Sequence, residues 1–135
     1  MKKILALIGL LSMLIFAVGC NNKTVTLVFE TNSDEVIEKI ELTENTILPI
    51  PTKEGYEFSQ WYVDQEFLEL FILQDYLDLQ KTTTITLYAK WIPIVYSITY
   101  LLDGGDNALQ NPPIYTIENE IPLQSPIKNG YTFVG

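Results

Sequence analysis

Gly55-Tyr-Glu-Phe-Ser-Gln-Trp-Tyr62 is the stretch whose reading decides the fold. Side chains alternate across a β-strand, so Tyr56 and Phe58 point the same way. Trp61 has the opposite parity. Keeping all three rings in one core requires an extra residue near Ser59-Gln60, a β-bulge. Gly55 supplies backbone freedom just before the strand. The clearest strand follows from Thr83. There Ile85, Leu87, Ala89 and Trp91 share one face, while Thr84, Thr86, Tyr88 and Lys90 share the other. The predicted core is Phe29, Tyr56, Phe58, Trp61, Leu87 and Trp91.

The opening recurs as Gly130-Tyr-Thr-Phe-Val-Gly135, and Pro51 and Lys53 recur as Pro126 and Lys128, a constant shift of 75 residues. This is an internal repeat. Leu27 and Phe29 are matched by Ile98 and Tyr100 at a shift of 71, and Glu44-Asn-Thr-Ile47 is echoed by Glu118-Asn-Glu-Ile121. Nothing in residues 96–135 matches Trp61 or the 85–91 strand. The second copy is therefore expected to be half a domain, since about forty residues seldom fold alone.

Around these landmarks, Val25, Leu27 and Phe29 alternate as a half-buried strand, and Asn32-Ser-Asp34 supplies a turn. Residues 36–42 are expected to return as its antiparallel partner, with a helical turn as the rival. Pro49 and Pro51 confine the next segment to an extended edge. Asp64 resembles a helix cap ahead of Phe67, Leu70 and Phe71, predicting a short helix, with a buried extended segment over 70–73 as the rival. Residues 93–95 form a stiff linker.

Composition narrows the functions open to the chain. After position 20 there are six lysines against 17 acidic residues, a formal charge of −11. Such a surface repels phosphate backbones, which argues against nucleic acid as a partner. The sequence contains no His and no Arg, so the usual general base and the bidentate carboxylate clamp are missing. Catalysis and a cofactor are not expected. Lys2-Lys3 ahead of the apolar residues 4–18 has the form of a secretory signal, and about fifteen residues is short for a spanning helix, which needs about 20. Residues 1–19 are expected to be removed. The segment ends Ala17-Val18-Gly19-Cys20, which resembles the bacterial lipoprotein signal, in which a lipidated cysteine becomes the new N-terminus. Its commonest first residue is Leu, where this chain has Ala17. Acyl chains on Cys20 would anchor the protein, each buried methylene contributing about 0.8 kcal/mol. Residues 20–23 then form a polar tether.

Taken together, these motifs resemble the Listeria-Bacteroides repeat, the module of the internalin B B-repeat region and of many bacterial surface proteins. Its pattern is a first strand rich in Tyr and Thr, Asp or Asn before Gly-Gly, Pro-x-Lys-x-Gly-Tyr-x-Phe-x-Gly-Trp-Tyr, and a closing Leu-Tyr-Ala-Lys-Trp. The resemblance covers roughly residues 24–135. It implies a mainly β, α+β fold: a small β-grasp-like repeat domain over 24–92 with one short helical crossover, followed by an incomplete second repeat over 96–135. It also implies a building block of cell-surface proteins. Gln60 stands where the pattern has Gly, so a bulge needing positive φ would be strained there.

Within this frame, the aromatic residues are expected mainly in the core. Tyr62 and Tyr88 are the candidates for contact with a ligand or partner. Asp64, Glu66 and Glu69, like Asp103 and Asp106, lack the spacing of a calcium loop, and no metal site is expected. Lys53 and Lys90 suit a structural role, stem over a ring and ammonium in water. The expected protein is a lipid-anchored component of the cell envelope, on the outer face of the cell membrane. It would serve as a spacer or adhesion module toward envelope polymers or other surface or host proteins. The alternative is a small carbohydrate-binding envelope lipoprotein.

Overall fold

The computed structural model describes residues 23–134. The first strand, β1 (Val25–Glu30), buries Val25, Leu27 and Phe29 and leaves the alternate residues partly open, as its alternation predicts. β2 (Ile40–Glu41) lies antiparallel to it, with Leu27 opposite Ile40 and Thr26 opposite Glu41. Then come β3 (Tyr56–Tyr62), the one-turn helix α1 (Gln74–Leu77) and β4 (Thr83–Pro93). The sheet runs β2-β1-β4-β3. β4 pairs parallel with β1 over six residues, from Val25 opposite Thr83 to Glu30 opposite Tyr88, and antiparallel with β3. Parallel neighbours need a long crossover connection. Here residues 31–82 make that excursion and contribute β2, β3 and α1 on the way. The result is the mainly β architecture with one short helix that the sequence predicts.

The bulge is present. Phe58 pairs with Trp91 and Trp61 with Ala89, three steps along β3 against two along β4. The extra residue turns Trp61 onto the core face, where it is 4% exposed. Its ring lies 5.0 Å from that of Phe29 and 5.3 Å from that of Phe58, tilted to both, within the favourable range for aromatic pairs. Phe58 meets Trp91 edge-on at 5.8 Å. Both indole N–H groups are satisfied, Trp61 donating to the Pro49 carbonyl (2.9 Å) and Trp91 to that of Thr31 (2.7 Å). Leu27, Leu87 and Ala89, fully buried, fill the centre.

Several expectations are corrected. Gln60 is exposed and is absent from the positive-φ residues, which among non-glycines are Asn32, Phe67 and Asp103. The bulge therefore takes its extra residue in a conformation that any side chain adopts, and glycine is not required. Tyr56 is half-buried outside the core cluster. Its hydroxyl donates to Glu118 at 3.0 Å and its ring lies beneath Lys53. The helix does not form at Asp64. The chain instead doubles back: Tyr62 bridges to Leu70, the Val63 N–H donates to the Glu69 carbonyl, and the Phe71 N–H donates to the Trp61 carbonyl. Phe67, at φ 57°, interrupts any helical run. Phe71 is buried outside any helix or strand, and α1, ten residues later than expected, stacks Tyr76 on it at 5.1 Å.

Pro93, predicted to start the linker, is the last residue of β4, and the next N–H, that of Ile94, donates to the Gly55 carbonyl. Beyond it, β5 (Tyr96–Ser97) pairs antiparallel with β6 (Ile114–Tyr115) as a separate two-stranded unit. No residue from 94 to 134 is buried.

Trp61→Ala is expected to destabilise the first repeat by about 3–5 kcal/mol. A domain with about 5 kcal/mol of total stability would then lose its cooperative thermal transition, which circular dichroism reads directly. Gln60→Gly is expected to cost roughly 0.5–1 kcal/mol in urea unfolding, because glycine adds backbone entropy to the unfolded chain and relieves no strain here. A gain in stability would put the strain back at Gln60.

Candidate functional site

The two tyrosines marked by the sequence, Tyr62 on β3 and Tyr88 on β4, are direct cross-strand partners. They lie on the face away from Leu87 and Ala89, and both are half-buried. Lys90, two residues on, shares that face. Its Nζ lies 5.0 Å from the Tyr62 ring centre and 5.8 Å from that of Phe67, which meets Tyr62 edge-on at 5.5 Å. Gln65 reaches the Tyr88 hydroxyl at 3.5 Å. Beside this group is an open depression of about 560 Å³ whose lining includes Glu30, Gln65 and Tyr88. The sheet thus brings the two tyrosines together, but it covers Tyr62 with a cation and a second ring. Phe67 reaches that position through its left-handed backbone, which periodicity in the sequence does not signal.

A second, larger groove of about 940 Å³ opens where the loop after β1 meets the segment before β3; Asp34, Glu35, Lys53, Phe58 and Trp91 are among its lining residues. Lys53 closes its aromatic floor, with Nζ 4.5 Å from the Tyr56 ring centre and 5.8 Å from that of Trp91. The same arrangement recurs in the second copy, where the Lys128 ammonium is 4.7 Å from the Tyr131 ring centre. Glu35, 17 residues before Thr52, accepts its N–H at 2.6 Å and its hydroxyl at 2.8 Å. Those two bonds hold the carboxyl below its usual range. No local pattern pointed to Glu35, because its partner is remote in sequence.

The Asp64 carboxylate organises the return loop after β3. It accepts the N–H of Leu68 at 3.0 Å and that of Glu69 at 2.6 Å, and these backbone bonds lower its pKa. The capping residue was legible, but it caps a loop instead of a helix. Among the described residues no three His, Cys, Asp or Glu side chains come together in a way that could hold a metal ion. None of the described helices is long and apolar enough to cross a membrane. Cys20 lies outside the described residues.

Both faces thus carry aromatic floors capped by ammonium groups, with carboxylates at their rims. Residues 25–90 and 96–135 each match the Listeria-Bacteroides repeat domain. The chain belongs to that family. The chain is also similar to parts of much longer proteins. Over 115 residues the chain is 30% identical to a protein of Evansella cellulosilytica provisionally named a membrane protein. Over 113 residues it is 30% identical to a second protein of that organism, provisionally named a Gly-rich membrane protein. Each match covers 82% of this chain but only 16% and 13% of the relatives' own lengths.

The Asp64 loop is expected to respond to acid. Its carboxyl titrates below the ordinary 3.8 when folded, so the loop's stabilisation is whole above 3.8 and is lost as pH falls through the lower folded value. The amide proton shifts of Leu68 and Glu69 should titrate together with a midpoint below 3.8. A midpoint at or above that value would show that Asp64 does not hold the loop. Asp64→Ala should remove the titration.

Proposed function

We propose that this Listeria-Bacteroides repeat chain is a lipid-anchored cell-envelope protein, attached to the outer face of the cell membrane through Cys20. Its repeats would serve as a non-catalytic spacer and contact module. The observation that carries the reading is the order of parts: a charged start, an apolar run and Ala17-Val18-Gly19-Cys20, followed within a few residues by β1 of the repeat. A four-residue tether is enough to keep a folded module beside the membrane while leaving its sheet free. The names of the two Evansella cellulosilytica relatives agree with a membrane setting for such repeats.

The role as a contact module, in preference to a sugar-stacking site, is supported by the lysines. A sugar ring needs an open aromatic face, and Lys90 stands over Tyr62 while Lys53 stands over Tyr56. Polypeptide partners engage edges and mixed polar surfaces of the kind the sheet offers.

Metabolic labelling with an alkyne fatty-acid analogue tests the anchor. The wild-type chain is expected to carry label and to sediment with membranes. Cys20→Ala is expected to lose both, since the apolar segment alone is short for a stable span. Equal labelling of the two would remove the lipid anchor, and a Cys20→Ala protein that still sedimented with membranes would point to an uncleaved apolar segment.

A further inference from the structure

One turn of the second repeat, residues 116–119, lies against the first. Its two ends are tied together. The Asn119 N–H donates to the Thr116 carbonyl at 3.0 Å, and the Asn119 side-chain oxygen accepts the Thr116 N–H at 2.7 Å and its hydroxyl at 3.1 Å. The Glu118 N–H donates to the Thr116 hydroxyl at 3.3 Å. Side chains that bond the neighbouring backbone in this way stabilise a turn. Ile117 and Glu118, at its centre, are thereby presented together.

What they meet is Gly55-Tyr56. A Cβ placed on Gly55 would lie 2.7 Å from Ile117 Cδ1 and 2.9 Å from Ile117 Cβ, closer than side chains approach, so Ile117 rests where only a glycine leaves room. Tyr56 donates its hydroxyl to Glu118 Oε1 at 3.0 Å, and that bond is the main reason the phenol titrates above its ordinary range. The connection between the repeats reaches the same glycine. The Ile94 N–H donates to the Gly55 carbonyl at 2.9 Å, and only Val95 stands between that residue and β5.

The first repeat shows that a complete copy does not use this turn for its own packing. The counterpart, residues 43–46, is closed by the same pair of bonds, at 3.1 and 2.7 Å. Its central residues are Glu44 and Asn45, both exposed beside a finished four-stranded sheet. The position is therefore open to a neighbour, and the apolar side chain and carboxylate that make the contact occur in the second copy and not in the first.

We infer that Ile117 and Glu118 form a latch that docks the second repeat on Gly55-Tyr56 and holds the two repeats at one orientation. Units joined by a small interface move relative to one another by default. Here the chain link is bonded to the Gly55 carbonyl, while the latch covers its α-carbon and takes the next hydroxyl. A swing about Val95 has to part Ile117 from Gly55 and Glu118 from Tyr56. The latch sets the direction in which the second repeat is presented. The inference goes beyond the spacer reading, does not rest on it, and holds whether or not Cys20 is acylated.

The test uses the isotopically labelled full chain in detergent micelles, with residual dipolar couplings measured in a stretched gel. One alignment tensor is expected to fit the amide couplings of residues 25–93 and 96–134 together. Ile117→Asp should lower the alignment of 96–134 relative to 25–93 by about twofold or more, because released units reorient separately. Tyr56→Phe, which removes only the hydroxyl, should lower it to a smaller extent, and Glu44→Ala, in the turn of the first copy, should leave it unchanged. Slow exchange of the Ile98 amide, bonded to the Pro113 carbonyl within the second repeat, reports that this repeat is folded. Loss of that protection on Tyr56→Phe, a substitution in the other repeat, would equally show the latch at work. Four results would each overturn the inference: two separate tensors in the wild type, no protection of Ile98 in the wild type, couplings that both variants leave unchanged, or a loss confined to Ile117→Asp and accompanied by loss of Ile98 protection.

Discussion

The first repeat depends on one ring being turned inward. Without the extra residue between Phe58 and Trp61, the indole would project from the solvent face of β3, leaving Phe29 and Phe58 facing each other across a gap. With it, Trp61 touches β1 through Phe29, its own strand through Phe58, and the proline-rich segment through its bond to the Pro49 carbonyl. Three stretches that are distant in sequence are thereby fixed to one side chain. In a domain of this size, burial of each large ring is a substantial part of the net stability. That is why the irregularity lies in the middle of the strand, where a continuous ladder would otherwise be favoured.

What could be read from the letters, and what could not, follows from the range of the interactions. The parity of Tyr56, Phe58 and Trp61 is local, and it gave away the bulge. So did the alternation from Ile85 to Trp91, which became β4. Asp64 was misleading because a carboxylate that accepts two nearby N–H groups looks the same at a helix start as at a loop closure. The choice was made by a long-range pairing, Phe71 with Trp61, that no local pattern records. The echo of Glu44-Asn-Thr-Ile47 in Glu118-Asn-Glu-Ile121 was off by one. The turns superimpose Thr43 and Thr46 on Thr116 and Asn119, a shift of 73 instead of 74, because the hydrogen-bonding side chain recurs and the letter does not. Gln60 was judged from the family pattern, yet the backbone accommodates it without positive φ.

The lysines show how an acidic chain places its few cations. Three of the six after Cys20 stand over aromatic rings, while among the described residues only Lys128 makes an ion pair, with Asp103 at 3.1 Å. A ring offers an ammonium a partner that costs little desolvation, and the lysine stem covers apolar surface at the same time. The rings so covered are those a sequence would nominate as binding platforms. Tyr62 and Tyr56 contribute to the surface mainly as the floor beneath a charge.

The strand that leads the first repeat and the strand that ends it, β1 and β4, are parallel neighbours joined by six register pairs. Tension applied at Val25 and at Pro93 would therefore draw the two strands past each other along their own axes. The ladder would be loaded in shear, with all its bonds sharing the force at once. Strands pulled apart from one end would part rung by rung at a far smaller load. A module wired in this way resists extension along the line joining its neighbours, and yields sideways before it yields lengthwise.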